Sequence, residues 1–410
     1  MRYLIDLSLL RRNRNFCLLY VGQFVSFLGT MITRVSLPYQ IYHETHSTLW
    51  IGLLSLCELL PLLVTALLGG VFADRHHRQR LLFIAEILLA MGCLLLIYNA
   101  MLTPPRIWVI FVAGTLMSAI DGLHRPSRDS LIQQIVAKED FSTVGELSTF
   151  MYSVGMIAGP AVAGLIIAHF GLVVTFSVDF ASYFISLMTL VMMKGIPRPQ
   201  VTQDLSTFSS LKKGLQYAVS KQELLGTYAL DFVAMVFGMP MALFPAIAES
   251  FGGVKTLGLL YAAPAVGALI ISFCSGWAAR VKHHGVAIAI AALLWGIGII
   301  FFGLSKNLWL ALFFLSMAGA FDAISGIFRQ TMWNTIIPNH YRGRLAGIEM
   351  IGYLSGPKLG DTEAGLVAAA FGVTASVVSG GVFCIVGVMV CCYYLPRFWQ
   401  YQAPQGKKER

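Results

Sequence analysis

Asp121, Arg125, Arg128 and Asp129 fall within nine positions of LMSAIDGLHRPSRDSLIQQIV (Leu116–Val136), a stretch of a segment otherwise apolar enough to cross a bilayer. A charge at the centre of a membrane helix costs roughly 2.5–3.5 kcal/mol on insertion scales, so four together are not expected to face lipid. The pattern returns 201 residues later in GAFDAISGIFRQTMWNTII, where Asp322 and Arg329 keep the same mutual spacing. Seven residues is about two helical turns, so each acid shares a helix face with its base. Desolvation favours the protonated carboxyl, whereas a nearby cation favours the carboxylate. A carboxyl balanced between them can take up a proton on one side of a membrane and release it on the other, while the arginines neutralise it or meet an anionic solute. Static ion pairs that fix helix register are the competing reading. Arg34 and Glu58 lie at similar depths in the first two apolar segments, close enough in depth that they could pair. Asp179, Asp231, Glu86 and the trio Lys358, Asp361 and Glu363 are further candidates. Pro126 denies the Gly122 carbonyl its usual donor beside the cluster, and irregular backbone at this depth is tolerated where it lines a cavity. The second copy has Gly326 at the place of Arg125 and Gln330 at that of Asp129, so the first half is expected to carry more of the work.

The elements that must hold these residues are membrane helices. Of 410 residues, 57% are hydrophobic and only 12% charged. Soluble domains average about 25% charged residues, so a polytopic membrane protein is the class that fits. Twelve apolar runs are expected near 16–42, 49–73, 80–101, 107–136, 142–170, 172–193, 223–248, 256–279, 285–304, 308–337, 344–371 and 376–395. The fold class expected is therefore all-α, with twelve transmembrane helices in two pseudo-symmetric six-helix bundles: residues 1–194, a linker at 195–222, and residues 223–410 with a tail. In the linker, Leu211, Leu215 and Ala218 share a face opposite Lys212, Lys213 and Gln216; a short amphipathic surface helix or a plain solvated linker both suit it. The basic stretch before Phe16 leads into a run too long for a cleaved signal, so the first helix is expected to stay. The net charge of +9 comes from Lys and Arg concentrated at alternate loops and both ends. That distribution sets orientation, with both termini expected in the cytoplasm, and argues against nucleic acid as a partner. The cysteines and the pairs His76–His77 and His283–His284 lack metal-ligand spacing; the histidines are expected to be solvated at loop ends.

The repeat extends beyond the charges: Gly155, Gly159 and Gly164 return at the same offset as Gly356, Gly360 and Gly365. Two-fold repetition of hydrophobic halves is the mark of secondary transporters, whose sites lie at the repeat interface. The loop GGVFADRHHRQRLL (Gly69–Leu82) resembles the signature loop of the major facilitator superfamily. Gly70, Ala73, Asp74, Arg75 and Arg78 match it, while His77 and Gln79 depart from it. The resemblance implies a conformational latch at Gly70, Asp74, Arg75 and Arg78; the counterpart GWAARVKHHG keeps Arg280 but has Ala279 at the place of Asp74. In SVGMIAGPAVAG, Gly155, Gly159 and Pro160 resemble the helix-packing motif of the superfamily's exporters, with Gly164 one place out of register. Small residues four apart permit close packing, and Pro160 bends the helix. LPYQIYHETHST, Asp121–Gly122, RGRLAG and Gly360–Asp361 extend the resemblance over nearly the whole chain to the enterobactin-exporter group. That resemblance implies a monomeric proton antiporter of the bacterial inner membrane that exports a siderophore or similar amphiphile by rocking its halves. Multidrug or macrolide efflux is the alternative, ahead of ferric-siderophore or lipid import. No cofactor or metal is expected. H-E-x-x-H, G-x-S-x-G and P-loop patterns are missing from the sequence, so no enzyme is expected and a gradient must drive the transport.

Overall fold

A computed structural model describes residues 6–196, 207–338 and 341–402; the side chains of 70–75, 207–212, 342–344 and 346 lie outside that description. Among the described residues every regular element is helical. In order they are α1 (Ser8–Arg12), α2 (Arg14–Thr45), α3 (Thr48–Arg75), α4 (Arg78–Met101), α5 (Ile107–Ile135), α6 (Phe141–Met192), α7 (Thr207–Ser220), α8 (Gln222–Phe237), α9 (Phe244–Ser250), α10 (Val254–Phe273), α11 (His284–Leu304), α12 (Leu308–Ile336), α13 (Arg342–Phe371), α14 (Val373–Tyr394) and α15 (Pro396–Trp399). Ten stretches among the described residues are long and apolar enough to cross a membrane. Dividing α6 at its internal break and adding the more charged α13 makes the architecture consistent with the twelve expected segments. Helices are the answer because hydrocarbon offers no partner for a free N–H or C=O. Asparagine caps two of the helix starts: Asn13 accepts the N–H of Phe16 and Asn307 that of Trp309.

The break in α6 is Gly171, at φ 76°, and α13 gives way to α14 at Gly372, at φ 91°. They are 201 residues apart, the offset that relates Asp121 to Asp322. Only glycine takes this backbone region without a Cβ penalty, so the repeat extends to the reversal that starts the last helix of each half.

The chain divides into two compact units, 1–204 with 244–262, and 205–243 with 263–410. In the first unit α2 packs along α6, α3 along α5, and α4 against both α5 and α6. Leu19, Leu82, Leu131, Leu190 and Met193 gather these helices into one core. In the second, α11 packs on α12 and α14, and α13 on α8 and α14.

Two expectations need correction, and one span holds an unexpected break. The seventh segment, expected over 223–248, spans Gln222–Ser250, but its helix stops at Phe237 and resumes at Phe244. Pro240 has no N–H to continue the ladder; Trp295 Nε1 donates to the Gly238 carbonyl at 3.0 Å and the Asp361 carboxylate accepts the Ala242 N–H at 2.9 Å. The eighth segment ends six residues early, at Phe273, and Ser275–Arg280 forms a 3-10 turn. His284, expected to be solvated, is buried against Phe328 at 5.3 Å and Tyr401 at 6.2 Å. The helix α7 buries Ala218 with Leu224, Trp333, Ile337 and Leu345 of the second unit, while Leu215 and Val219 remain exposed.

Candidate functional site

In the first unit the charged stretch lies within α5, which runs as helix through Pro126 to Ile135. The Gly122 carbonyl, expected to line a cavity, instead belongs to the contact with α3. A Cβ on Gly69 would lie 2.9 Å from it, and a Cβ on Gly122 would lie 2.7 Å from the Leu62 carbonyl. That close approach of α3 and α5 turns Asp121 toward α2, where Arg34 Nη2 stands 3.7 Å from Asp121 Oδ2. The side chains are 60% and 33% exposed. Glu58 of α3 is buried; the Ser118 hydroxyl donates to its backbone carbonyl at 3.1 Å. Arg128 turns to its chain neighbour Asp129, through Nε at 3.1 Å and Nη2 at 3.0 Å. Arg125 is exposed on the same helix. Asp121 and Arg128, which share a helix face, thus pair with different partners.

In the second unit the equivalent residues stay together. Arg329 of α12, 10% exposed, places Nη2 3.6 Å from Asp322 Oδ1 and pairs through Nη1 with Asp231 of α8. Helices α8 and α12 are pinned about one turn away, where Trp333 Nε1 donates to Thr227 Oγ1 at 2.8 Å and Trp333 stacks on Tyr228 at 5.3 Å. Gly326 leaves open the space beside Arg329, whose Nη2 would be 3.8 Å from a Cβ there. The half that lost two charges along α12 therefore regains an acid from α8. Asp361, grouped at first with the cavity charges, lies at the break after α8, where it holds the Ala242 N–H.

Two buried polar clusters of the first unit went largely unread. Glu86 of α4, fully buried, accepts from Gln23 Nε2 at 2.7 Å and Ser26 Oγ at 3.3 Å, and lies 3.0 Å from His124 Nε2. Asp179 of α6 accepts from Thr33 Oγ1 and, at 3.3 Å, from Cys93 Sγ. Glu86 and Asp179 stood out as acids in apolar runs. His124, Gln23 and Thr33 gave one signal each, a polar residue in an apolar run, which neutral residues give weakly.

The latch residues Gly70, Asp74 and Arg75 fall in the last turns of α3, and their side chains are outside the described residues. Arg78, at the start of α4, donates from Nη1 to the Ser130 carbonyl of α5 at 2.9 Å. In the exporter-like motif, Gly155 and Gly159 face the side chains of Phe27 and Met31 on α2. Below them, a Cβ on Gly164 would meet the Gly258 nitrogen at 3.0 Å, and one on Gly258 the Pro160 carbonyl at 2.5 Å. The motif is thus the surface on which α6 meets both α2 and the first part of α10.

Known proteins share this architecture. The chain is 26% identical over 390 residues to the enterobactin exporter EntS of Shigella boydii serotype 18, covering 95% of this chain and 94% of that one. The figures are the same for enterobactin exporter EntS of Escherichia coli O1:K1 / APEC. In fold it is similar to a POT family transporter solved with 5-aminolevulinic acid, at TM-score 0.75, 11% identity and coverage of 94% and 97%. It is similar also to a bacterial homologue of the human lysosomal transporter Spinster, at TM-score 0.74, 15% identity and coverage of 96% and 98%. The family model for transmembrane secretion effectors matches residues 7–406. An all-helical, two-unit chain with charges buried between its helices, matched along nearly its whole length, belongs to the transmembrane secretion effector family of the major facilitator superfamily and is a multi-pass membrane transporter.

Proposed function

We propose that this transporter is a proton-driven exporter of a siderophore or similar amphiphilic metabolite, set in a bacterial inner membrane with both termini cytoplasmic. The observation that carries the reading is similarity to enterobactin exporters over 95% of this chain and 94% of theirs. The two halves, residues 1–194 and 223–410, rock about a central site as a monomer, with the loop at Gly70–Arg78 as the latch between states.

The charges divide by how their base is held. Arg34 and Asp121, 3.7 Å apart with the guanidinium exposed, contact the polar or anionic part of the substrate, with Arg125, Arg128, Asp129 and Glu58 as further contacts. Asp322 and Asp231, which share the buried Arg329, exchange the proton. Two acids on one base leave a negative charge that low-dielectric surroundings disfavour, and a proton cancels it. Static pairing would leave these residues without effect on coupling.

Two experiments test the reading. Deleting the protein from its host under iron depletion should lower secreted siderophore, and loss of drug tolerance with normal siderophore secretion would favour multidrug efflux instead. In inside-out vesicles with an imposed proton gradient, Asp121→Asn and Asp322→Asn should each slow uptake. Wild-type rate and proton stoichiometry in both variants would remove these residues from the mechanism.

A further inference from the structure

Outside the charged centres, a cavity of about 600 Å³ opens at one end of the first unit, lined by Arg12, Arg14, Lys194, Asp140 and an apolar wall that includes Leu9 and Met192. It exists because three span ends are tied together there. Asn13 donates from Nδ2 to the Ile135 carbonyl, the last residue of α5, at 2.6 Å. Asn15 brackets the backbone of Lys194, just past α6, donating to its carbonyl at 2.8 Å and accepting its N–H at 3.3 Å. The short α1 folds back, burying Leu9 with Phe16, Val136 and Leu147, and sets Arg12 Nη2 2.7 Å from Asp140 Oδ1.

The lining carries three cations and one acid, and the acid is already engaged by Arg12. The cavity also faces the start of the 32-residue α2, whose first turn has no acidic residue to offset its positive end. Position decides what kind of anion fits. Arg14 is the first residue of α2, Ile135 the last of α5 and Met192 the last of α6, so the cavity sits where three spans leave the hydrocarbon, whichever way the chain is inserted. A strip of exposed apolar side chains, Phe184, Ile185, Met188, Val191 and Met192, runs along one face of α6 straight into it. Spacings of three and four place them in one line along the helix.

We infer that this cavity binds the phosphate of an anionic glycerophospholipid between Arg14 and Lys194, with an acyl chain laid along the Phe184–Met192 strip. The polar end of the ligand meets cations at headgroup depth, and its apolar end covers side chains that water would leave bare. A free phosphate would satisfy the cations but leave the strip unused. The bound lipid bridges the ends of α2, α5 and α6 and so steadies one end of the unit.

The test is native mass spectrometry of the full-length protein in detergent, titrated with phosphatidylglycerol, phosphatidylethanolamine, or glycerol 3-phosphate and inorganic phosphate as headgroup probes. Phosphatidylglycerol should be held in preference to phosphatidylethanolamine. Each basic residue near a lipid surface is worth about fivefold in binding, so Arg14→Gln with Lys194→Gln should weaken retention about 25-fold while keeping the Arg12–Asp140 pair. Lys282→Gln with Lys306→Gln, equal in charge but elsewhere, should leave it unchanged. Met188→Ser with Val191→Ser should weaken the lipid but not the headgroup probes, which keeps the idea testable if the basic double variant fails to fold. Equal retention of the two lipids, or equal weakening by both basic double variants, would overturn the site. Headgroup probes that displace the lipid at equal concentration would overturn the acyl-strip half and leave a plain phosphate site.

Discussion

Arg329 stands between Asp231 and Asp322, and what its removal does depends on the charges left behind. Arg329→Met strands two half-buried carboxylates, at a cost below the roughly 3–5 kcal/mol of breaking a fully buried pair from one side. Asp231→Asn leaves one acid on one base and should cost much less. Thermal unfolding in detergent should therefore show a large fall for Arg329→Met, a small one for Asp231→Asn, and recovery in the triple variant with Asp231→Asn and Asp322→Asn. A triple variant as unstable as Arg329→Met alone would mean that packing around the guanidinium, not charge, is what matters. The same logic applies to Glu86. His124→Phe leaves its carboxyl with the neutral donors Gln23 and Ser26 and should destabilise by about 1–3 kcal/mol, whereas adding Glu86→Gln to it should restore much of the loss. The presence of these charges is legible in sequence because each is costly in an apolar run. Their partners are not. Arg34 and Asp121 lie 87 positions apart in the chain, Asp231 and Arg329 lie 98 apart, and only the packing of α2 on α5 and of α8 on α12 brings them together.

Among the elements, α13 contains a controlled comparison. A Cβ on Gly360 would sit 2.7 Å from the Met235 carbonyl and 2.8 Å from that of Val236, backbone atoms of α8 that cannot step aside. Gly352, two turns earlier, would meet nothing within 4 Å. Gly360→Ala should cost about 1–3 kcal/mol by forcing the helices apart, while Gly352→Ala should be neutral or gain up to about 1 kcal/mol from helix propensity. Unfolding midpoints that move together for the two variants would refute close approach as the role of Gly360. Small residues at spacing four were readable as a packing surface, and so was the place of the break at Gly171, between the expected fifth and sixth runs. The interruption of the seventh run was not read, although FGMP carries both Gly238 and Pro240. Hydropathy stays high across them, and the bonds that make the break tolerable come from Trp295 and Asp361, residues far away in the chain. The length of an apolar run reports burial in lipid, and it is blind to a break that the rest of the fold satisfies.

For the whole molecule, the two halves share an offset of 201 residues in their acid–base spacing, packing glycines and helix reversals, yet the arginines of their charge centres differ in exposure, 60% for Arg34 against 10% for Arg329. An exporter driven by a gradient must couple two events, and it must bind substrate even when no proton moves. If the Arg34–Asp121 pair meets substrate and the Asp231–Arg329–Asp322 group moves the proton, substitutions in the two should separate those events. In vesicles loaded with substrate on both sides, exchange of labelled for unlabelled substrate needs binding and rocking but no net proton movement. Asp322→Asn should therefore keep exchange within about twofold of wild type and lose accumulation driven by the proton gradient, because a neutral amide at that place already stands in for the protonated state. Arg34→Gln should impair both, chiefly by raising the substrate concentration needed for half-maximal rate, since what it removes is binding. Should Asp322→Asn instead lose exchange and accumulation in equal measure, with the protein folded and inserted, the division of labour between the units fails. The carboxyls that share Arg329 would then be needed for the rocking itself.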